Sequence, residues 1–238
     1  MLVYHGSDHI IEKPEYGLGR DDCDYGRGFY TTKDKEKAHS WACLYGNEKS
    51  ICNNYSIDLD NLTVVNLTEK GVLAWIAEVI ANRGVKAERV ATIGNLIRDK
   101  YKIDTTAADV LIGYRADDSY TEIIEAFLDG YLTIEEVEKL FYKGELGEQV
   151  FIKSQKAFDM LEYKGYEEVI DDEKYLNSDR YARRDVAEYL KRRRDQYSLG
   201  IEVKGLTARE VVLNNYKYEV IAGFGHYIID DGKLDILR

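Results

Sequence analysis

Short β-prone segments alternate with helical segments along this chain, and a long loop rich in glycine and aspartate separates the first two β-prone segments. LVYH (2–5) and GFYTT (28–32) bracket that loop, which spans residues 6–27. Asp34 then stands where a helix N-cap is expected, ahead of a helix over about 35–45. The chain is therefore expected to fold as a mixture of strands and helices around this loop.

The same alternation continues downstream. Two strands within 55–67 are expected on either side of a tight turn at Asp60-Asn61, and helical periodicity covers residues 70–101, interrupted by Gly84. The remaining expected elements are a strand at 109–114, helices at 118–129 and 133–142 (the second opened by a capping box of Thr133 and Glu136), a strand at 148–154, a helix over QKAFDMLEY, a strand at 166–171, a charged helix at 179–196, a helix over TAREVVLNN and two or three short terminal strands.

Composition excludes several classes of protein. The chain has no run of about 18 apolar residues, and MLVYHGSDHI lacks the basic patch and apolar stretch of a secretory signal, so we expect the mature chain to start here. Its three cysteines, Cys23, Cys43 and Cys52, are odd in number and form no Cys-x-x-Cys, which fits a reducing cytoplasm. A net charge of −11 disfavours non-specific nucleic-acid binding.

Four signals stand out through their order along the chain. YHGS (4–7) ends the first strand, DYGRGFYTT (24–32) follows the loop, Trp41 comes one helix later, and Gln149 begins a distant strand. Each signal is weak alone, because turns use glycine pairs constantly. A lone histidine such as His5 is likewise most often a structural residue. The information therefore lies in the series.

This series resembles the NAD-binding half of ADP-ribosyltransferases of the diphtheria-toxin and poly-ADP-ribose-polymerase type. In those proteins His-Gly-Ser or His-Gly-Thr ends the first strand, and Gly-Lys-Gly-Ile-Tyr or a variant follows; here Arg27 replaces the lysine and Phe29 the isoleucine. The chain is also similar, over roughly 1–165, to a bacterial family of uncharacterised domains. That second resemblance adds IGYRADD (112–118) and EQVFIKS (148–154) in the same order.

The resemblance implies an α+β fold with an ADP-ribosyltransferase-like core, a split and mostly antiparallel pair of β-sheets that holds NAD in the cleft between them. Residues 70–101 would be a helical insertion that partly walls the cleft. An ADP-ribosyltransferase-like domain would span 1–171. Residues 172–238 would form a C-terminal extension of helices and short strands, either packed on that domain or in contact with a partner.

The resemblance also implies roles in binding NAD as co-substrate. His5 would hydrogen bond to a ribose hydroxyl, the Gly6 backbone would hold the nicotinamide carboxamide, and Tyr30 would stack on the nicotinamide ring. Trp41 would close a sandwich on that ring, whereas Ala38 stands where the polymerases place a serine. The expected NAD-binding residues are His5, Gly6, Ser7, Arg20, Gly28, Phe29, Tyr30 and Trp41.

Two arginines of the long loop are candidates for the pyrophosphate. Arg20 or Arg27 would neutralise it through charge-assisted hydrogen bonds, and the alternative for either is a solvated loop residue. No metal site is expected, because His5 and His9 are four residues apart in a segment that does not look helical, and no carboxylate pair has the spacing of a zinc protease.

The expected catalytic residues are His5, Tyr30 and Gln149. Loss of nicotinamide from C1′ passes through an oxocarbenium-like transition state, which the polymerase type stabilises with a glutamate on a late strand. Gln149 falls at that position, while strand alternation turns Glu148 to the opposite face. Glutamine cannot carry negative charge or act as a general base. We therefore expect single transfer or slow NAD hydrolysis instead of polymer formation; the alternative for Gln149 is a strand-end residue facing water.

Three hypotheses follow for the function. The first is an intracellular bacterial mono-ADP-ribosyltransferase, an effector of toxin–antitoxin or phage-defence type with an antitoxin or other regulatory partner. Its acceptor would be a protein or small molecule before a nucleic acid, given the net charge of −11. The second is a catalytically silent NAD or ADP-ribose binding module that acts through the basic helix 180–194, whose alternative role is a solvated, salt-bridged surface. The third is a structural domain that binds no nucleotide.

Overall fold

The computed structural model of the chain describes residues 1–44, 49–116, 118–143, 147–170, 172–214, 218–222, 225–230 and 233–236. They fold into two units. The first comprises Met1–Asn66, Asp104–Arg115 and Gly147–Ala182, and the second Leu67–Ile103, Ala116–Leu146 and Arg183–Arg238. Within these ranges, no helix combines the length and apolar composition that a membrane span requires.

A seven-stranded sheet forms the centre of the first unit. Its strands, in chain order, are β1 (Leu2–Ser7), β2 (Phe29–Thr32), β3 (Ile51–Ile57), β4 (Val64–Asn66), β5 (Val110–Tyr114), β6 (Glu148–Ile152) and β7 (Leu161–Glu168). The order across the sheet is β4-β5-β6-β2-β1-β3-β7, and every pairing except β4 with β5 is antiparallel. The expectation of a mixed fold with a mostly antiparallel sheet is confirmed.

The sheet is joined weakly at its middle. Strand β1 pairs with β3 along its whole length, and β2 pairs with β6 along its whole length. Between β1 and β2 the register contains one pair, Tyr4 with Thr32. Continuation of that register would set Gly6 opposite Tyr30, and these two residues do not pair. A three-strand group (β1, β3, β7) and a four-strand group (β4, β5, β6, β2) are therefore joined by one residue pair, and the stretch beyond it, where β1 and β2 are not paired, is called the gap.

Apolar clusters cover both faces of the sheet. On one face, alternate residues of the central strands pack with helix α6 (Gln155–Asp159), and the buried members are Val3, Tyr55, Ile57, Val110, Ile112, Val150, Ile152, Ala157 and Phe158. On the other face, helix α1 (Lys35–Cys43) packs with the segment after β7, and the buried members are Ala38, Ala42, Cys43, Cys52, Val169 and Tyr175. On β1, for example, Val3 belongs to the first cluster and its neighbour Tyr4 packs against the second, as the two-residue period of a strand requires.

Helix α1 begins as the sequence predicts. The Asp34 carboxylate accepts hydrogen bonds from the N–H groups of Glu36 and Lys37, so it caps the first turn. A helix over all of QKAFDMLEY is wrong, because only Gln155–Asp159 is helical and the following residues enter β7. Pairing with β3 outweighs the helical periodicity there, as Leu161 lies opposite Ile57.

The two strands predicted around Asp60-Asn61 both exist but do not pair with each other. Strand β3 lies between β1 and β7, so neither of its edges is open to β4. Strand β4 instead lies at the opposite edge of the sheet and pairs in parallel with β5, with Val64 opposite Val110. A tight turn at Asp60 is compatible with this path, because the Asp58 carboxylate accepts a hydrogen bond from the Asp60 N–H.

The second unit is mainly helical. It contains α2 (Val72–Arg83), α3 (Ala91–Tyr101), α4 (Asp118–Leu128), α5 (Ile134–Lys143), the later part of α7 (Asp172–Ser198), α8 (Ala208–Leu213) and a three-stranded sheet of β8 (Tyr218–Ala222), β9 (Gly225–Asp230) and β10 (Lys233–Ile236). Gly84 ends α2 with a φ of 72°. The capping box of Thr133 and Glu136 is present, with hydrogen bonds of 3.0 and 3.3 Å.

The long helix α7 starts earlier than the sequence predicts, at Asp172 instead of 179. In its basic stretch Arg193 pairs with Glu136 at 3.0 Å and Arg184 with Glu188 at 3.8 Å, as a salt-bridged helix surface would. By sequence, Asp117-Asp118 would also suit a cap for α4, and the side chains of these two residues lie outside the described part of the chain.

Gly6 generates a prediction about stability. A Cβ at Gly6 would lie 2.1 Å from the Ala38 carbonyl oxygen and 2.5 Å from the Ala42 nitrogen, because α1 rests directly on the β1 backbone. Gly6→Ala is expected to lower the free energy of unfolding by about 3 kcal/mol, since backbone must shift to make room. Urea denaturation checks this value.

Gly17→Ala is the matched control for that substitution. Gly17 has a φ of +87°, but a Cβ there would meet nothing within 4 Å. It is expected to cost about 1 kcal/mol, from the left-handed backbone alone. Equal losses for the two variants would contradict close packing of α1 on β1.

Candidate functional site

His5 lies on β1 just beyond the single residue pair that joins the two groups of strands. Its Nδ1 is 2.7 Å from the carbonyl oxygen of Tyr30 on β2. A carbonyl only accepts, so Nδ1 carries the hydrogen and Nε2 is an acceptor. Within the described part of the chain, no side chain or backbone group hydrogen bonds to Nε2. His5 therefore links β1 to β2 through Nδ1, and its Nε2 can accept a hydrogen bond from a ligand donor.

The surroundings of His5 favour its neutral form. Burial lowers the pKa of His5 below its ordinary value of 6.5, and the hydrogen bond to the Tyr30 carbonyl opposes the shift only in part. The imidazole also packs on the Phe29 ring, with centroids 4.5 Å apart. At neutral pH His5 is consequently an uncharged hydrogen-bonding group, not a cation.

Tyr30 anchors the end of the long loop. Its hydroxyl donates to the Gly26 carbonyl at 2.8 Å and accepts from the Tyr25 N–H at 3.0 Å. Its half-buried ring lies 4.7 Å from Phe151 and nearly parallel to Tyr25, with centroids 6.3 Å apart. Gly26 has a φ of 81° and closes a turn through its N–H to the Cys23 carbonyl, a backbone angle that favours glycine.

Gln149 is 4% exposed, so the alternative of a strand-end residue facing water is wrong. Its Nε2 donates to a carboxylate oxygen of Asp24 at 3.4 Å, and Asp24 is itself 6% exposed. No described group hydrogen bonds to its Oε1. Glu148, on the opposite side of β6, forms an ion pair with Lys33 at 3.2 Å. The expected catalytic position thus holds a buried amide beside a buried carboxylate.

Asn53 is a residue of this region for which the sequence offered no signal. It lies opposite His5 on β3 and is fully buried. Its Nδ2 donates to the Ser7 hydroxyl at 2.9 Å and to the His9 carbonyl at 3.1 Å, and its Oδ1 accepts from the Ile11 N–H at 2.8 Å. Ser7 itself donates to the His9 carbonyl at 2.6 Å. The Ser7 hydroxyl therefore helps to fix the start of the loop.

Trp41 is covered by another side chain. It is 9% exposed, and the Arg115 guanidinium lies over its ring, 5.2 Å from the centroid. A cation over an indole is a favourable arrangement, stronger when shielded from water. One face of the Trp41 ring is therefore already covered by Arg115. Ala38 is completely buried, in line with a position that makes no hydroxyl contact to a ligand.

Both candidate pyrophosphate ligands lie on the exposed surface of the loop. The Arg27 guanidinium forms two hydrogen bonds to the Asp21 carboxylate, at 2.6 and 2.7 Å, and Arg20 lies 3.3 Å from Asp22. Exposed ion pairs of this kind contribute little to stability, because water and salt screen them. Exchange of the Asp21 or Asp22 partner for a phosphate would therefore cost little. Without a ligand, Arg20 and Arg27 are solvated residues of the loop.

Gly28 and Phe29 have packing roles. A Cβ at Gly28 would lie 2.4 Å from Cε2 of Phe151 and 2.5 Å from the Ile152 carbonyl oxygen, so only glycine lets β2 begin this close to β6. The centroid of the Phe29 ring lies 5.5 Å from that of Tyr55, and the ring packs against the apolar cluster that includes helix α6. Any contribution of these two residues to ligand binding would therefore be made through the backbone.

The predicted catalytic residues lie on three neighbouring strands. His5 is on β1, Tyr30 on β2 and Gln149 on β6, in the order β6-β2-β1 across the sheet. Tyr30 and Gln149 share a face, because Tyr30 is opposite Phe151 and Gln149 is two residues along β6. By the same alternation the His5 side chain lies on the other face, with Val3 and Phe29, and it reaches β2 through its bond to the Tyr30 carbonyl. The fold thus gathers residues that are up to 144 positions apart in the chain.

A second polar cluster brings together potential metal ligands. His39, Cys52 and Glu167 have ligand atoms within 4.8 Å of one another. The Glu167 carboxylate is already bound by the Lys35 ammonium at 2.8 Å and by His39 Nε2 at 2.7 Å. Burial and the nearby Glu167 charge raise the pKa of the Cys52 thiol to about 12. The Glu167 carboxylate therefore already has an ammonium and an imidazole as partners, and we do not propose a metal at this cluster.

The chain belongs to the family described as a protein of unknown function (DUF3990), whose model matches residues 1–163. The match contains the whole gap region, from β1 through β6, with His5, Tyr30 and Gln149. No curated protein and no solved structure matches the chain.

The environment of His5 predicts its titration. By NMR, its pKa should lie below 6.5 and its neutral ring should carry hydrogen on Nδ1. A pKa that is lower in the folded than in the unfolded chain makes stability rise with pH between the two values, so this contribution is complete above about 6.5 and lost as pH falls. His5→Gln should remove that slope from the pH dependence of unfolding. A pKa at or above 6.5 would contradict the burial of the imidazole beside Tyr30.

Burial also predicts which thiols react. Cys43 is 2% and Cys52 0% exposed, whereas Cys23 is half-buried in the loop. In the native protein, an aromatic disulfide reagent should modify Cys23 alone at neutral pH, because the raised pKa of Cys52 keeps it protonated. In urea all three cysteines should react. Rapid native labelling of Cys52 would show that α1 does not cover this part of β3.

Proposed function

We propose that this chain is an NAD-dependent mono-ADP-ribosyltransferase that binds NAD along the gap between β1 and β2. The observation that carries the proposal is the gap itself. Beyond Tyr4 the edge of β1 is unpaired with β2, and His5 is held there by the Tyr30 carbonyl with Nε2 available to a ligand. An extended edge with unpaired backbone groups beside a fixed acceptor suits a planar carboxamide attached to a ribose.

The proposed fold is the split pair of antiparallel sheets of ADP-ribosyltransferases. Two groups of strands joined through the single pair of Tyr4 and Thr32 support this. The motif order supports it too: YHGS ends the strand on one side of the gap, and GRGFY leads into the strand on the other. A fold of this kind would place the substrate where the two groups diverge.

His5 and its neighbours would bind and orient the substrate. With Nδ1 donating to Tyr30, His5 would accept a hydrogen bond from a ribose hydroxyl through Nε2. The backbone of Gly6, which pairs with Cys52 on β3 but not with β2, would hold the carboxamide of nicotinamide. The half-buried ring of Tyr30, fixed through its hydroxyl, would stack on the pyridinium ring. Each contact uses a group that the fold already holds in place.

In the reaction the bond between C1′ and the nicotinamide nitrogen breaks, and its electron pair leaves with nicotinamide. The ribose then carries oxocarbenium character until an acceptor attacks C1′ and loses its proton. Oε1 of Gln149 would accept a hydrogen bond from the 2′-hydroxyl and so align the ribose. An amide cannot remove the proton of an incoming ribose hydroxyl, so one ADP-ribose is transferred and no polymer grows.

The acceptor is proposed to be a protein or small molecule. A net charge of −11 works against a polyanionic acceptor such as a nucleic acid. The biological setting proposed is that of an intracellular effector restrained by an antitoxin or other regulatory partner. These points rest on the resemblance described above and on charge.

One observation favours a second candidate, a silent NAD or ADP-ribose binding module. The Arg115 guanidinium lies over the ring of Trp41, 5.2 Å from its centroid, and so covers one face of the aromatic group expected to stack on nicotinamide. If Arg115 stays there, the nicotinamide would be held on one side only and its departure would receive less help. NAD would then bind without turnover.

The test is nicotinamide release from NAD, together with transfer of label from NAD carrying a radioactive adenylate phosphate, in the presence of bacterial lysate. The wild type should release nicotinamide and label a discrete acceptor. His5→Ala and Gln149→Ala should lower release about 100-fold or more, as expected for removal of a group that aligns the transition state. His9→Ala, an exposed histidine of the same segment, is the control and should change release less than about twofold.

The outcomes separate the candidates. NAD binding that depends on Tyr30, with no release in any lysate, would favour the silent module. Absence of NAD binding by calorimetry would contradict both candidates and favour a structural domain.

A further inference from the structure

We propose that Asp24 is the positioning residue of this site: its carboxylate fixes the Gln149 amide and supplies the negative charge that a glutamine lacks. The inference rests on the proposed function. It extends that function, because no role for Asp24 follows from the motif resemblance. It also accounts for a glutamine where a glutamate is expected.

The two side chains are buried together. Asp24 is 6% and Gln149 4% exposed, and Nε2 of Gln149 lies 3.4 Å from Oδ2 of Asp24. Burying a carboxylate away from water is costly unless donors compensate it. A carboxylate retained beside an amide at the start of β6 is therefore a specific feature of the site.

The loop holds Asp24 in position from both sides. On the amino-terminal side, the Cys23 carbonyl accepts the hydrogen bond from Gly26 that closes the turn, at 3.1 Å. On the carboxyl-terminal side, the Tyr25 N–H bonds to the Tyr30 hydroxyl at 3.0 Å, and the buried Tyr25 hydroxyl donates to the Tyr114 carbonyl at 2.5 Å. Asp24 lies between these anchors, so its carboxylate is directed at Gln149 by a fixed backbone.

This arrangement determines how the amide points. A carboxylate only accepts hydrogen bonds, so the NH₂ of Gln149 must face Asp24 and Oε1 must face away from it. Oε1 is buried, and no donor among the described residues reaches it. A buried acceptor without a donor costs about 1–3 kcal/mol, so the fold retains an acceptor that a ligand hydroxyl would satisfy.

The charge of Asp24 adds to this orientation. A hydrogen bond from the amide nitrogen to an anion polarises the amide and makes Oε1 a stronger acceptor. The anion also lies one amide away from the proposed ribose, where positive charge develops. Glu148 does not offer a substitute, because it is ion-paired with Lys33. The Asp24–Gln149 pair would thus divide between two residues what one glutamate does.

A charge exchange tests this. The wild type is compared with Asp24→Asn, Gln149→Glu and the double variant, with Asp8→Asn as an exposed carboxylate control. Asp24→Asn should lower kcat for nicotinamide release by about tenfold or more and change the Kd for NAD much less. Gln149→Glu alone should not raise kcat, because two adjacent carboxylates cannot both ionise. The double variant, which moves the charge to position 149, should recover kcat to at least about one third of the wild-type value.

Thermal unfolding of the wild type and the three site variants at pH 7 supplies a readout that needs no activity. Gln149→Glu should lower Tm in the wild-type background and lower it much less in the Asp24→Asn background. Equal losses in both backgrounds would overturn the proposal, because Asp24 would then be indifferent to charge at position 149. Release by the wild type with an unchanged rate for Asp24→Asn would overturn the role of Asp24 alone. A wild type that neither binds NAD nor releases nicotinamide would overturn the proposed function and this inference together.

Discussion

The early loss of pairing between β1 and β2 is the constraint on which the site depends. One residue pair, Tyr4 with Thr32, joins two groups of strands, and no further pair of β1 with β2 follows it. His5 then donates to the Tyr30 carbonyl, which regular pairing would have set opposite Gly6. A side-chain hydrogen bond from His5 thus stands where regular pairing would form backbone hydrogen bonds. The edge of β1 is left unpaired with β2 and next to a neutral imidazole, and every proposed contact with NAD starts from that arrangement.

The long loop is the second part of the site, and the side chains of two strand residues, Asn53 and Tyr30, fix its ends. Asn53 binds the residues that follow β1, and the Tyr30 hydroxyl binds those that precede β2. Both residues belong to strands of the sheet, so both ends of the loop are hydrogen bonded to the sheet. Its turn then sets Asp24 against Gln149. The polar loop therefore places one specific carboxylate, that of Asp24, against the sheet.

Local signals were predictable from sequence, and non-local ones were not. The Asp34 cap, the Thr133 capping box and Gly84 at the end of α2 each depend on a few adjacent residues. The distant place of β4 in the sheet and the strand at Leu161 depend on which edges other strands leave open. In the site, His5, Tyr30 and Gln149 follow from motif order, and the structure sets them on adjacent strands. Asp24 beside Gln149, Arg115 over Trp41 and the bonds of Asn53 arise from packing across the fold, which no spacing encodes.

The central claim is that the gap between β1 and β2 binds NAD. Hydrogen–deuterium exchange with and without NAD tests it most directly, because amides of an unpaired strand edge exchange readily until a ligand protects them. We predict slower exchange in peptides covering 4–7 and 24–32, with the helices of the second unit unchanged. Unchanged exchange in both peptides at saturating NAD, or protection confined to the second unit, would contradict the account.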